Sequence, residues 1–316
     1  MSIIEVNHLT KDYGFGRGVF DVSFKIEKGE VFGFLGPNGA GKSTTIRHLM
    51  GFSKPQSGET KIFDKKTFDK YFEILDKVGY IPGEIALPQG LTGWEFIRMM
   101  QNLQKIHNDQ QLNKMLKLFE LEDNVLKGET KRMSLGVKRK LAIVVAFMSD
   151  PEVLILDEPT SGLDPVMQEV FINLIKEEKE RGKTILLSSH IFTEVDATCD
   201  RIAIIKDGKI VSEFVANDLK HAKTKFYAIT FKEEKDFKQF LSKNKKSKIL
   251  SILNSDKQEL KVTVMTEDKN INRVVELLSS YEIKEFTNIK ETLEDYFMKF
   301  YKEDKEFGGQ LWTQSK

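Results

Sequence analysis

Up to about residue 216, short apolar, β-branched runs alternate with stretches of helical periodicity, the pattern of an α/β domain. Residues 3–9 and 20–26 read as strands, and 31–35 (VFGFL) as a buried strand leading into a helix over 44–50. A further strand is expected over 78–81. Apolar positions at helical spacing then recur over 91–106, 110–119 and 137–148, giving a mostly helical insert of about 84–150. The run 153–156 (VLIL) predicts the next strand, followed by a helix over 171–181 and a strand over 184–187. Residues 201–205 and 209–214 read as a hairpin across Asp207-Gly208, a favoured turn dipeptide.

Beyond about residue 217 lysine becomes dense. Strands are expected over 226–231, 248–253 and 259–264, helices over 236–241 and 272–279, and a last helix over 291–301. The pattern therefore divides the chain into a main domain over 1–217, a small α+β domain over 218–303 and a loose polar tail over 304–316.

Composition narrows the class. Of 316 residues, 40% are hydrophobic, enough for a packed core. The 49 basic and 48 acidic residues nearly cancel, so charge gives no reason to expect a nucleic-acid partner. The run Lys131, Arg132, Lys138, Arg139, Lys140 reads as a solvated face. Cys199 is the lone cysteine, which excludes an intrachain disulfide and fits a reducing cytosol. The N-terminal residues show no basic stretch followed by an apolar one, as a secretory signal would. The longest apolar run, 141–148, is far short of the roughly 20 residues that span a bilayer, so any membrane part is expected from another subunit.

The most specific chemistry lies at Gly36–Ser43, GPNGAGKS, of the form G-x-x-x-x-G-K-[ST]. Glycines let consecutive backbone N–H groups curl round phosphates. Lys42 can reach the β- and γ-phosphates, and Ser43 can offer a hydroxyl to Mg²⁺. The strand before and the helix after place a positive helix end against the phosphates. Val153–Glu158 (VLILDE) then delivers two carboxylates at a strand's C-terminal end, where open α/β sheets bind ligands. Asp157 suits Mg²⁺ and Glu158 suits polarising an attacking water.

Further motifs follow in a fixed order, and over residues 3–215 the chain resembles the ATP-binding cassette (ABC) ATPases. The resemblance makes GPNGAGKST with the following Thr45 the Walker A loop, with Gly36, Pro37, Asn38, Gly39, Ala40, Gly41, Lys42, Ser43, Thr44 and Thr45 as nucleotide contacts. It makes VLILDEP the Walker B strand and Tyr13 the aromatic that stacks on adenine. Met133-Ser134-Leu135-Gly136-Val137 sits where the signature LSGGQ lies, Ser161-Gly162-Leu163-Asp164 resembles the D-loop, and His190 the switch histidine.

The resemblance implies a P-loop NTPase cassette with a helical subdomain that binds ATP and Mg²⁺. It assigns Glu158, His190 and Lys42 to catalysis and Ser43 and Asp157 to the metal. It also implies that Ser134, Gly136 and Asp164 act across an interface with a second ATPase subunit, identical or different. With a separate membrane-spanning permease, the pair would form an exporter of drugs, antibiotic peptides or lipids; the alternative is a soluble ABC ATPase acting on ribosomes or nucleic acid. The chain would then be cytoplasmic, peripheral on the inner face of the cell membrane. The SLG form of the signature and the ending ETLEDYF resemble bacterial exporters whose ATPase is a separate chain.

One position departs. Where the family has a Q-loop glutamine after the 78–81 strand, this chain reads Pro82-Gly83-Glu84. Either Glu84 substitutes or Gly83 leaves the position empty. The stripe Trp94, Phe96, Met99 and Met100 reads as core or as a groove for a partner helix. His8, His48, His107 and His221 read as structural or surface residues.

Overall fold

The computed structural model describes residues 1–220, 224–244, 247, 249–289 and 292–302. The chain divides into two units, Met1–Ala216 and Asn217–Lys316.

The first unit opens with β1 (Ser2–Asp12) and β2 (Gly18–Glu27), antiparallel, with Ile4 opposite Ile26 and Val6 opposite Phe24. Ile4 and Val6 of β1 and Val22, Phe24 and Ile26 of β2 are buried in alternation, the mark of a sheet covered on one face, with register shifts around Leu9. After β3 (Val31–Leu35) and α1 (Lys42–Leu49), β4 (Ser57–Ile62) and β5 (Lys65–Lys66) complete this sheet in the order β2-β1-β4-β5.

The helices α2 (Thr67–Ile74), α3 (Gly93–Gln104), α4 (Asp109–Leu118), α5 (Asp123–Leu126) and α6 (Leu135–Phe147) surround β6 (Val78–Ile81) in sequence. Next come β7 (Val153–Asp157), α7 (Pro165–Glu180), β8 (Thr184–Ser189), α8 (Phe192–Thr198), β9 (Arg201–Lys206), β10 (Lys209–Val215) and α9 (Ala216–Lys220).

The second sheet has the order β10-β9-β3-β8-β7-β6, parallel from β9 to β6 with β10 antiparallel at its edge. All residues of β3, β7 and β8 are buried, as expected of central parallel strands covered on both faces. Their C-terminal ends bring Leu35, Asp157 and Ser189 to one side. The β9–β10 turn has both central residues in the left-handed region, Asp207 at φ 48° and Gly208 at φ 75°, the geometry a two-residue hairpin favours.

Helix ends follow their capping residues. Thr92 and Glu95 form a reciprocal capping box on α3, so this helix begins at Gly93 rather than at 91. Asn108, Ser134 and Asp164 cap α4, α6 and α7. Of the stripe Trp94, Phe96, Met99 and Met100, Phe96 is buried and the other three are half-buried, and Trp94 Nε1 donates to Asp123 Oδ1 at 2.8 Å.

The second unit runs β11 (Thr224–Phe231), α10 (Glu234–Asn244), β12 (Ser251–Asp256), β13 (Lys261–Glu267), α11 (Ile271–Leu278), β14 (Ile283–Ile289) and α12 (Leu293–Lys302). Its antiparallel sheet has the order β12-β13-β11-β14, a ferredoxin-like βαββαβ arrangement. Tyr227, Ile229 and Phe231 alternate along β11 onto a core with Phe237, Phe240, Val262, Val264, Val274 and Leu278. The strand expected over 248–253 lies at Ser251–Asp256 instead, and Lys248 is outside the described residues. So are His221, Glu291, residue 303 and the tail from Asp304. The pattern did not disclose β4, β5, α2, α5, α8, α9 or β14.

Candidate active site

The loop between β3 and α1 is shaped by glycines with distinct constraints. Gly39 and Gly41 adopt φ 84° and 111°. A Cβ on Gly41 would meet Val19 Cγ1 at 2.8 Å, and one on Gly36 would meet the Ile205 carbonyl oxygen at 2.5 Å. Pro37, Asn38, Gly39 and Ser43 are exposed, while Gly36, Ala40, Gly41 and Lys42 are buried. The loop is therefore anchored at both ends and open in the middle. Gly208 N–H donates to Ala40 O at 2.9 Å, and Phe20 N–H donates to Gly208 O at 2.8 Å, tying the β9–β10 turn to the loop and to β2. Thr45 Oγ1 donates to Gly41 O at 3.1 Å within the first turn of α1. No side chain caps that helix, so its leading N–H groups face the loop mouth.

Lys42 Nζ donates to Gly36 O at 2.6 Å and to Pro37 O at 3.1 Å. It also lies 3.1 Å from Glu158 Oε1. Glu158 Oε2 faces His190 Nδ1 at 2.5 Å, so a Nδ1-protonated ring donates to it. Lys42, Glu158 and His190 thus form a continuous chain, the three residues assigned to catalysis. His190 is exposed at its far side and Glu158 mostly buried. Glu158 adopts φ 48°, rare for a side chain of this size, and its N–H donates to Ser188 O at 2.9 Å.

Asp157 is buried, and Ser188 Oγ donates to its Oδ1 at 2.9 Å. Its Oδ2 faces Gly83, where an added Cβ would come within 3.0 Å. Asp157 Oδ2 faces the Gly83 backbone, and Ser43 is exposed. Both are hard oxygen donors, which fits Mg²⁺ shared with substrate phosphates. No group of three or more His, Cys, Asp or Glu that could hold a metal occurs among the described residues.

Two buried residues behind these were not legible in the sequence. Ser188 supports Asp157. Glu194 accepts from Ser189 Oγ at 2.5 Å, and Ser189 Oγ accepts from Ile191 N–H at 3.0 Å. Burial pushes the Glu194 carboxyl up to about 7, opposed by the Ser189 hydrogen bond and reinforced by the Glu158 charge. Ser188 had only its position near the end of an apolar strand as a signal, and Glu194, on α8, had none.

The remaining assigned residues stand apart from this chain. Ser134 Oγ accepts from Val137 N–H at 3.3 Å at the exposed start of α6, and a Cβ on Gly136 would lie 3.1 Å from Gly162 O. Asp164 Oδ1 accepts from Met167 N–H at 3.0 Å, capping α7. Tyr13 is 51% exposed in the β1–β2 turn, with Lys11 Nζ 5.6 Å from its ring centre. Among the described residues no hydrogen bond or ion pair joins these four to Lys42 or Glu158. At the departing position, Glu84 is exposed and Gly83 carries no side chain toward Asp157.

The basic run needs correction at one residue. Lys131 and Arg132 are exposed, but Arg139 is 2% exposed. It lies on the inward side of α6, and the carbonyls of Pro82, Gly83 and Ser161 satisfy its guanidinium. The histidines divide as well. His8 is exposed and faces Asp21, His107 is exposed, and His48 is buried with Nδ1 against Thr44 O.

Residues 19–161 match the family described as ABC transporter. The uncharacterized ABC transporter ATP-binding protein YhcH of Bacillus subtilis is 32% identical over 96% of this chain and 98% of its own length. The bacitracin transport ATP-binding protein BcrA of Bacillus licheniformis is 33% identical over 94% of this chain and 97% of its own. Among solved structures, an ATP-binding subunit of an ABC transporter superposes with a TM-score of 0.64 at 31% identity, covering 70% of this chain and 92% of that one. The cassette MJ0796 in a dimeric post-hydrolysis state with ADP and Pi gives 0.62 at 26% identity, covering 68% and 99%.

Proposed function

This chain belongs to the ATP-binding proteins of ABC transporters, and from that premise we propose how its site works and what it serves. It is the ATP-binding, ATP-hydrolysing subunit of a membrane transporter. The observation that carries the mechanism is the chain Lys42–Glu158–His190 at the mouth of the phosphate loop.

The β- and γ-phosphates would compete for Lys42 with the Gly36 and Pro37 carbonyls, and the N–H groups of the loop and of α1 would close round them. Glu158, freed on one side, orients water for in-line attack on the γ-phosphate. His190 holds both Glu158 and the transferring group. Mg²⁺ held by Ser43 and Asp157 would supply charge neutralisation at the phosphates. Tyr13 offers an exposed ring for adenine.

Ser134, Gly136 and Asp164 are exposed or half-buried, and among the described residues no hydrogen bond or ion pair joins them to Lys42 or Glu158, which supports their completing the site of a second subunit. The similar cassette MJ0796 has a dimeric structure. Among the described residues no helix is long and apolar enough to cross a membrane, which supports a separate permease and a place on the inner face of the membrane. Similarity to the bacitracin transport protein supports export of a drug, antibiotic peptide or lipid.

Steady-state ATPase of Glu158→Gln tests the core of this reading. Turnover is expected to fall by about a hundredfold or more with ATP still bound, since the base is removed and the loop is intact. Near wild-type turnover would remove Glu158 from its role. Co-purification of a polytopic membrane protein from detergent extract tests the transporter assignment, and ribosomes in its place would count against it.

A further inference from the structure

Arg139 is among the largest fully buried side chains of the protein, and it sits on α6, the helix that opens with Ser134 and Gly136. One guanidinium makes three bonds to three backbone carbonyls. Nε donates to Ser161 O at 2.9 Å, Nη1 to Pro82 O at 2.9 Å, and Nη2 to Gly83 O at 2.7 Å. These acceptors are 22, 57 and 56 residues away in sequence, so a single side chain ties together three separate segments.

Each segment bears on hydrolysis. Pro82 and Gly83 leave the end of β6 beside Asp157. Ser161 lies three residues past Glu158, on the loop leading to Asp164. The α6 helix carries the residues assigned to the second subunit's site. No carboxylate lies within ion-pair distance of Arg139 among the described residues. A buried cation paired only with dipoles is a costly choice for a mere filler, since an apolar side chain could fill the same volume. Burial lowers the guanidinium's affinity for its proton, while the charges of Asp157 and Glu158 act the other way.

We propose that Arg139 is a positioning residue that couples α6 to the hydrolysis site, fixing the ends of β6 and β7 relative to that helix where the chain carries Gly83. The rigid fork is what allows this, because a planar guanidinium sets three acceptors in one plane and a point charge does not. Nucleotide binding at Lys42 makes no use of these bonds. Loss of the fork therefore acts on the placement of Glu158 and α6, not on ATP capture. Displacing a reacting group by about 1 Å costs up to a hundredfold in rate.

The test compares full-length Arg139→Met, Arg139→Gln and Arg139→Lys with wild type, each with Mg²⁺ and ATP. It measures kcat and KM by steady-state ATPase, ATP affinity by titration calorimetry, and thermal melting. The proposal expects kcat to fall about tenfold or more in all three, with KM and ATP affinity within about threefold. Arg139→Lys should recover part of kcat but not all, since it keeps a donor without the fork. Wild-type kcat in Arg139→Lys overturns the proposal, as does a loss of ATP affinity matching the loss of kcat. Should Arg139→Met fail to fold, the two polar variants decide the matter. The inference rests on Glu158-directed hydrolysis, and Glu158→Gln run in parallel separates the two. Near wild-type turnover there removes the hydrolysis reading, whereas an unchanged kcat in the Arg139 variants removes only the coupling.

Discussion

At Glu194 one carboxyl is held out of water behind the Glu158–His190 pair, and its proton affinity links site to stability. In the folded chain it keeps its proton up to about 7, whereas an ordinary glutamate releases it near 4.5. Between those values the folded state binds the extra proton, so this group's contribution to stability falls as pH rises from about 4.5 to about 7 and is level above. The swing is on the order of 3 kcal/mol. Urea unfolding of Glu194→Gln at pH 5 and pH 8 should show the variant gaining on wild type toward pH 8. Parallel pH profiles would exclude this carboxyl as the source. Residues of this kind show how much of the site was readable. Lys42, Asp157 and Glu158 were expected because phosphate and Mg²⁺ chemistry calls for those residue types beside a glycine loop and at a strand end, and His190 only through the resemblance to the ABC family. Glu194, Ser188 and Arg139 were not, because their roles come from burial, and burial is decided by which side of a helix or strand faces inward after packing.

Among the elements, α6 has a double task. Ser134 caps it, a contribution of about 1 kcal/mol, and its buried stretch from Leu141 to Phe147 anchors it. The cap sits on the exposed end. If that end completes a second subunit's site, Ser134→Ala and Glu158→Gln proteins should each be nearly inactive alone. Mixed, they should regain ATPase, because a mixed pair has one intact site made of Glu158 from one copy and Ser134 from the other. Mixtures no more active than their components would argue against an intersubunit site. Elements escaped the hydrophobic pattern for particular reasons. β5 is two exposed lysines, and β14 is exposed along most of its length, so neither shows an apolar rhythm. α2 carries Phe68, Tyr71 and Phe72 on an exposed side, which blurs its inward face. The central strands were clear because burial on both faces demands unbroken apolar runs.

For the whole molecule, two units each with their own core suggest that the nucleotide site needs only the first. We expect residues 1–216 expressed alone to remain folded and to bind ATP within about threefold of the full chain, by calorimetric titration. An insoluble fragment, or one that ignores ATP, would make the second unit part of the nucleotide-binding fold. The first unit's own outline also sets where it can be altered. Hairpin tips are ordinarily where a chain accepts added residues. The Asp207-Gly208 tip is not such a place, because Gly208 is bonded to both Ala40 and Phe20 and has no room for a side chain against the Gly18 carbonyl. An epitope tag or fluorescent reporter spliced there would pry open the phosphate loop, and a label for following this protein belongs elsewhere.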